Sequence, residues 1–141
     1  MGKPSLLVSS FVVKDSSILL ARNKEGKLVI PFTEVKPFEP IFEAARRSLL
    51  EEMGIAVVSD DILFVQEWIN QPAHYVTVFV LGNPVIHLDQ EISLQSDDQY
   101  TEAFWVDTRE LDKYQDECSH MTIDALYKFS LALKSRGMVR R

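Results

Sequence analysis

The hydrophobic positions in the first third of the chain form short runs separated by turn-forming residues. Residues 6–13 and 18–22 are rich in Leu, Val and Ile, and the polar group 14–17 lies between them. Branched apolar residues favour strands, whereas a short group of Lys, Asp and Ser favours a turn. The pattern therefore predicts a β-hairpin. Residues 28–30 predict a third short strand, which ends at Pro31 because proline cannot donate a ladder hydrogen bond.

Further strands are predicted in the second half of the chain. Residues 62–69 and 75–81 are rich in β-branched and aromatic residues, and residues 70–72 contain the Asn and Pro of a loop. Residues 103–106 predict a last short strand. The chain contains no internal repeat, low-complexity tract or linker-like segment.

Two segments show helical periodicity. Residues 40–53 are expected to form one helix, because Pro40 suits a first helical position and Gly54 suits the left-handed position just past a helix end. Its apolar stripe consists of Phe42, Ala45, Leu49 and Met53. Residues 119–135 predict a second, amphipathic helix, and the basic tail 136–141 is interpreted as a solvated terminus.

Composition limits the possible functions. A chain of 141 residues with 46% apolar and 26% charged residues suits one globular domain, residues 1–141. Its formal charge of -6 and pI near 5.0 disfavour general nucleic-acid binding. No apolar run approaches membrane-spanning length. Cys118 is the only cysteine, which excludes an internal disulfide and a multi-cysteine zinc site and favours a reducing cytoplasm as the location.

The segment 33–55, TEVKPFEPIFEAARRSLLEEMGI, carries the most specific pattern. It resembles the Nudix box, G-x5-E-x7-R-E-U-x-E-E-x-G-U with U apolar. The positions that match are Glu39, Arg47, Leu49, Glu51, Glu52, Gly54 and Ile55. Thr33 stands where the box has glycine, and Ser48 stands where it has glutamate. The chain is similar to the Nudix hydrolase superfamily of MutT-like proteins, and this resemblance implies an α/β/α sandwich with a mixed β-sheet.

The spacing of the acids gives the box a chemical meaning. Carboxylates at i, i+3 and i+4 of a helix converge on one volume, where Mg²⁺ or Mn²⁺ finds oxygen ligands. Glu51 and Glu52 supply two of the three, and Ser48 supplies a neutral hydroxyl. The resemblance implies that Glu51 and Glu52 bind the metal together with the backbone carbonyl of Thr33. It also implies that Glu39, Arg47 and Gly54 are structural members of the box.

The other departures from the family pattern concern the loop before the helix and the third acid. Phe32, Thr33 and Phe38 occupy positions where relatives carry glycine, so the loop is expected to have a different shape. A glutamate before the last strand often completes the site in the family. We favour Asp98 for this catalytic role, over the neighbouring Asp97 and over Glu102, which we expect to flank the strand. A polar surface loop is the alternative interpretation.

Two functions follow from the resemblance. The first is divalent-metal-dependent hydrolysis of a nucleoside diphosphate derivative at its pyrophosphate bond, by metal-activated water. The second is a catalytically inactive Nudix-fold module that binds a nucleotide or a partner protein. Glu51 and Glu52 favour the enzyme, whereas Ser48 and the missing glycines favour the binding module. A nucleotide-type small molecule is the expected ligand in both cases, and a homodimer is left open.

Overall fold

The computed structural model describes residues 3–85, 90–95 and 99–135. Its strands are β1 (Ser5–Lys14), β2 (Ser17–Asn23), β3 (Leu28–Val29), β4 (Phe32–Glu34), β5 (Val57–Asn70), β6 (Ala73–Pro84) and β7 (Tyr100–Asp107). Its α-helices are α1 (Ile41–Met53) and α2 (His120–Ser135), and a 3-10 helix (Thr108–Glu117) precedes α2. Within this part of the chain, no helix is both long and apolar enough to cross a membrane.

Strand β1 organises a mixed sheet. It pairs in parallel with β6, and it pairs antiparallel with β4 near its beginning and with β2 at its end. The sheet order is β3-β2-β1-β6-β5, with β7 attached to β2. The predicted hairpin between β1 and β2 is present, as is the mixed sheet.

The two helices cover opposite faces of this sheet. Ala44 and Ala45 of α1 pack on Val78 and Val80, whereas α2 packs in the cluster that contains Phe79 and Leu81. Neighbouring residues of a strand point to opposite faces, so the alternating residues of β6 contact different helices. This arrangement confirms the predicted α/β/α fold.

Helix α1 begins and ends as local sequence signals indicate. The helix begins at Ile41, one residue later than predicted, and Pro40 precedes it because its ψ of 144° is extended rather than helical. Gly54 ends the helix with a φ of 68°, a left-handed conformation that glycine adopts without steric cost. The N–H of Ile55 then donates to the carbonyl of Leu49 at 3.2 Å, which closes the last turn.

Several strand boundaries differ from the prediction. The predicted strands 62–69, 75–81 and 103–106 are each longer in the structure, where they form β5, β6 and β7. The long-range pairing of β5 with β6 extends β5 through Asp60 and Asp61, past a register shift. Strand β4 was not expected, because Phe32–Glu34 lies in the predicted loop; it forms because β1 supplies a partner. The 3-10 helix was also not expected.

The packing of α1 generates a stability prediction. Leu49 is 1% exposed and its neighbour Leu50 is 56% exposed. Leu49→Ala should lower the free energy of unfolding by about 2–5 kcal/mol, because it leaves a cavity between α1 and the sheet. Leu50→Ala should change it by less than about 0.5 kcal/mol. Urea unfolding followed by circular dichroism measures both, and equal losses would contradict the assigned face of the helix.

Candidate active site

An ion pair joins helix α1 to the loop that precedes it. Arg47 donates from Nε to Glu39 Oε2 at 2.6 Å and from Nη2 to Glu39 Oε1 at 3.0 Å. The same guanidinium reaches the carbonyl of Glu34 and the carboxylate of Glu51, each at 3.4 Å. Two-point pairing fixes the plane of the guanidinium. Arg47 thus connects β4, the loop and the last turn of α1.

Glu39 is further fixed by the backbone of its own loop. Its Oε1 accepts a hydrogen bond from the N–H of Lys36 at 3.0 Å. The Arg47 guanidinium, followed by this backbone N–H, lowers the pKa of Glu39 to about 2. The residue is therefore a carboxylate whose oxygens are already engaged by donors, which suits a structural member of the box better than a metal ligand.

Glu51 and Glu52 differ in their surroundings. Glu51 is exposed, and its side chain contacts Arg47. Glu52 is half-buried, and burial raises its pKa, with the nearby charge of Glu51 acting in the same direction and that of Arg47 opposing it. Both lie in the last turn of α1, which holds no basic residue. Anions there are disfavoured by the helix dipole by about 0.3–1 kcal/mol each, so a bound cation would stabilise this end.

Ser48 is buried rather than exposed beside the acids. Its side chain is on the covered side of α1, and its Oγ donates to the carbonyl of Ala45 at 3.3 Å. The hydroxyl is thus satisfied within the helix. Position 48 still lies three and four residues before Glu51 and Glu52, so a longer acidic side chain there would reach toward them.

Strand β4 presents its residues alternately to the two faces of the sheet. Thr33 pairs with Val8, on the face covered by α1, whereas Phe32 pairs with Ser9 on the opposite face. Pro31 and Val35 hydrogen-bond to β1 at either end of the strand. In an antiparallel ladder alternate residues make these bonds, so the carbonyl of Thr33 points toward β1 and that of Phe32 points away from it. Thr33 therefore directs its carbonyl into the sheet.

The backbone of Phe32 is held by two side chains at the start of β7. The Tyr100 hydroxyl donates to the Phe32 carbonyl at 3.1 Å and accepts from the Phe32 N–H at 3.0 Å. Gln99 donates to the same carbonyl at 3.3 Å. Tyr100 is buried, and burial, with a smaller contribution from the charge of Glu52, raises its pKa. The Tyr100 hydroxyl therefore contacts Phe32 and lies within the electrostatic reach of Glu52.

A cavity of about 360 Å³ lies on the other face of the sheet, between β1, β6 and α2. This volume is within the range of small-molecule sites. Its lining residues are uncharged, and four of them are aromatic: Phe32, Trp68, Tyr75 and Phe79. Phe32 belongs to both regions, because its side chain lines the cavity while its backbone contacts Tyr100 beside Glu52.

The acids proposed as a third ligand are not brought to the box by the described residues. Asp97 and Asp98 lie outside the residues that the structure describes. Glu102 lies within β7, where it pairs with Arg22 at 2.7 Å. Across residues 3–85, 90–95 and 99–135, no three His, Cys, Asp or Glu side chains converge on a volume that could hold a metal.

Sequence reasoning missed the residues around Phe32 and in the cavity. Tyr100 and Gln99 contact a strand that lies 67 or 68 positions away in the sequence. The hydrogen bonds between Tyr100 and Phe32 carry no local signal in the sequence. Asn23 could have been recognised as a turn residue, but its position in the cavity depends on how the sheet is paired.

The comparisons with known proteins identify the family and the fold of this chain. The sequence model of the NUDIX domain matches residues 4–125. A search of curated proteins found no match. A NUDIX hydrolase from Nitrosomonas europaea superposes with a TM-score of 0.77 at 20% identity, over 92% of this chain and 90% of that one.

Two further solved structures are similar. A MutT NUDIX hydrolase from Burkholderia pseudomallei has a TM-score of 0.73 at 25% identity, over 89% of this chain and 98% of that one. The MutT protein from Methanosarcina mazei Go1 has a TM-score of 0.77 at 20% identity, over 96% and 98% of the two chains. The NUDIX match covers most of the described residues, and the three solved structures share the fold of this chain.

The Glu39–Arg47 pair generates a pH prediction. The folded-state pKa of Glu39, about 2, is below its ordinary value of 4.5, so its contribution to stability is present above 4.5 and is lost as pH falls through 2. Glu39→Gln should therefore be less stable than the wild type at pH 7, and the difference should shrink as pH falls from 4.5 toward 2. Urea unfolding at a series of pH values measures this difference.

Arg109 also lowers the pKa of Asp107 to about 2. Asp107 is present in both the wild type and Glu39→Gln, so its contribution cancels in the difference between their unfolding free energies. A difference in unfolding free energy that stays constant across the acid range would contradict the role given to the Glu39 carboxylate.

Proposed function

Because this chain belongs to the NUDIX family, we propose that it is a hydrolase that cleaves the pyrophosphate bond of a nucleoside diphosphate derivative with Mg²⁺ or Mn²⁺. The observation that carries this proposal is the pair Glu51 and Glu52 at the end of α1. Glu52 is half-buried, with its pKa raised by burial, and no described side chain or backbone N–H donates to it. A half-buried carboxylate without a donor suits a cation ligand.

The residues present fit a divalent cation through oxygen ligands. Glu51 and Glu52 would hold it, and Asp98, which lies outside the described residues, is our candidate for a further ligand or catalytic acid. When bound, the metal supplies charge stabilisation on the phosphoryl oxygens and lowers the pKa of a coordinated water. The antiparallel ladder directs the Thr33 carbonyl toward β1. This carbonyl would therefore bind the metal only after a local opening of β4.

The remaining box residues would position these acids. Arg47 contacts Glu51 while it holds Glu39 on its other side, so the guanidinium limits the rotation of Glu51. Gly54 ends the helix directly after the acids, and its φ of 68° fixes where the chain leaves the site. The cavity beyond Phe32 would receive the part of the substrate that is not phosphate. Phosphate would then lie toward Glu52.

The second candidate is a nucleotide-binding or protein-interaction module without catalysis. A specific observation favours it: the ladder directs the carbonyl of Thr33, the expected backbone ligand of the metal, toward β1. A carbonyl held in a strand ladder is not free to bind a cation. Ser48 also lacks a charge and is hydrogen-bonded within the helix. Both observations are compatible with a cavity that still binds a ligand.

The metal proposal is tested by calorimetry. Mg²⁺ or Mn²⁺ should bind with a Kd on the order of millimolar, because two carboxylates attract a cation less strongly than three. The heat of binding should vanish in Glu51→Gln/Glu52→Gln. The matched control Glu43→Gln/Glu110→Gln removes two exposed carboxylates elsewhere and should leave binding unchanged. An unchanged titration in the first variant would remove these acids from the metal site.

Catalysis is tested by a hydrolysis screen of nucleotide derivatives with Mg²⁺ and Mn²⁺, applied to the wild type and to Ser48→Glu. Ser48→Glu restores the acidic i, i+3, i+4 spacing and should tighten metal binding. If the added carboxylate acts as a general base, the rate at saturating metal should rise by roughly 10²–10⁴. If it acts only as a ligand, the gain should appear mainly at low metal concentration.

Ser48→Gln is the matched control, because it adds nearly the same volume to a buried position without charge. Without metal it should lose no more stability than Ser48→Glu, because it buries no charge, and it should gain neither metal affinity nor rate. If Ser48→Glu folds, binds metal and hydrolyses no compound in the screen, the hydrolase proposal is abandoned in favour of the binding module.

A further inference from the structure

We propose that Tyr100 is a positioning residue that holds β4 closed against β1, and that a divalent cation at Glu51 and Glu52 binds more tightly when this contact opens. The inference rests on the proposed function, because it concerns the access of a backbone ligand to that cation. Its support comes from the hydrogen bonds at the outer edge of β4, which involve neither acid.

Strand β4 is held by a strand on one edge and by a side chain on the other. It has three residues, and among the strands of the described residues it pairs with β1 alone. Thr33, opposite Val8, directs its N–H and carbonyl toward β1, so Phe32 directs its own N–H and carbonyl away from β1. Those two groups meet Tyr100, which therefore lies on the outer side of β4.

The Tyr100 hydroxyl makes the hydrogen bonds that a neighbouring strand would make. It accepts from the Phe32 N–H at 3.0 Å and donates to the Phe32 carbonyl at 3.1 Å. It also accepts from the Gln99 amide at 3.1 Å, so its donor and both lone pairs are in use. Tyr100 is 2% exposed, and burial raises its pKa, so the hydroxyl stays protonated and remains a donor.

Both ends of β4 are linked to the acidic end of α1. The first residue of the strand contacts Tyr100, which lies within the electrostatic reach of Glu52. The carbonyl of the last residue, Glu34, accepts from Arg47, which also contacts Glu51. A movement of β4 therefore changes the surroundings of both carboxylates.

The closed position of β4 withholds one oxygen from this region. Mg²⁺ prefers an octahedral set of oxygen ligands, and two carboxylates fill only part of it. The carbonyl of Thr33, in the middle of β4, is directed into the ladder with β1. Movement of β4 away from β1 would release this carbonyl, and Tyr100 opposes that movement because it lies on the outer side of the strand.

This coupling separates the proposed role of Tyr100 from a merely structural one. If the cation binds more tightly to the open strand, the bound cation must weaken the Tyr100–Phe32 contact by the same factor. A tyrosine that only stabilised the fold would lower stability when its hydroxyl is removed and would leave the metal affinity unchanged or reduced. The proposal predicts that stability and metal affinity change in opposite directions.

The first test is Tyr100→Phe, which removes the hydroxyl and keeps the ring in the core. The midpoint of urea unfolding should fall, whereas calorimetry should show Mg²⁺ binding roughly fivefold more tightly. Tyr114→Phe is the matched control, because it removes the same atom from a ring that packs near Phe104, and it should leave the Kd unchanged. An unchanged or larger Kd in folded Tyr100→Phe would overturn the proposal.

The second test uses the wild type and needs no substitution, so it decides the matter even if Tyr100→Phe does not fold. Amide hydrogen exchange is followed by NMR with and without saturating Mg²⁺. The Phe32 amide should exchange roughly fivefold faster with Mg²⁺, because the cation favours the open strand. The amide of Val80, which is fully buried in β6, should not change. Equal or slower exchange of Phe32 with Mg²⁺ would contradict the coupling.

These outcomes are distinguishable from those of the hydrolase proposal. If Mg²⁺ binds the wild type through Glu51 and Glu52 but Tyr100→Phe has the same Kd, the role of Tyr100 is wrong and the metal site stands. If neither protein binds Mg²⁺, both proposals are wrong. Hydrolysis is not measured, so a protein that cleaves nothing can still show the coupling.

Discussion

The hydrogen bonding of β1 is the constraint on which the rest of the structure depends. On one edge β1 pairs in parallel with β6 along most of its length, from Ser5 to Val12. On the other edge it pairs first with β4 and then, at Val13 and Lys14, with β2. Because one edge of a strand can pair with only one partner at each position, this exchange sets β4 and β2 at different places along β1. The change of partner from β4 to β2 therefore helps to set where the acidic end of α1 and the cavity lie.

The parts predicted from the sequence are those with local causes. Helix α1 was identified because its apolar stripe and Gly54 act within one element, and the α/β/α fold followed from the resemblance of the box. Strand β4 was missed because three residues have little strand preference of their own, and a ladder with distant β1 supplies their hydrogen bonds. Strand β5 was predicted too short because its acidic residues 60 and 61 interrupt the apolar pattern, although β5 pairs with β6 on both sides of a register shift between Val58 and Asp61.

The residues of the candidate site also divide into those that the local sequence predicts and those that only the paired sheet brings together. Glu39, Arg47, Glu51 and Glu52 lie on one helix and its loop, so the box spacing was sufficient to bring them together. Tyr100 comes from β7, and the cavity combines residues of β1, β2, β6 and α2. Their proximity is a property of sheet register rather than of spacing. The structure also shows that Ser48 is more than a missing carboxylate, because its hydroxyl is buried and bonded within the helix.

Because its residues point alternately to the two faces of the sheet, β4 links the side covered by α1 to the cavity. Phe32 faces the cavity and Thr33 faces the side of α1, so neighbouring codons specify opposite surfaces. Insertion or deletion of one residue within β4 would exchange these faces and disrupt both regions at once. Substitutions can instead alter one surface while the other is preserved. Changes that alter one of these surfaces alone are therefore expected to be replacements at fixed length, with length changes confined to the loops beyond the strand.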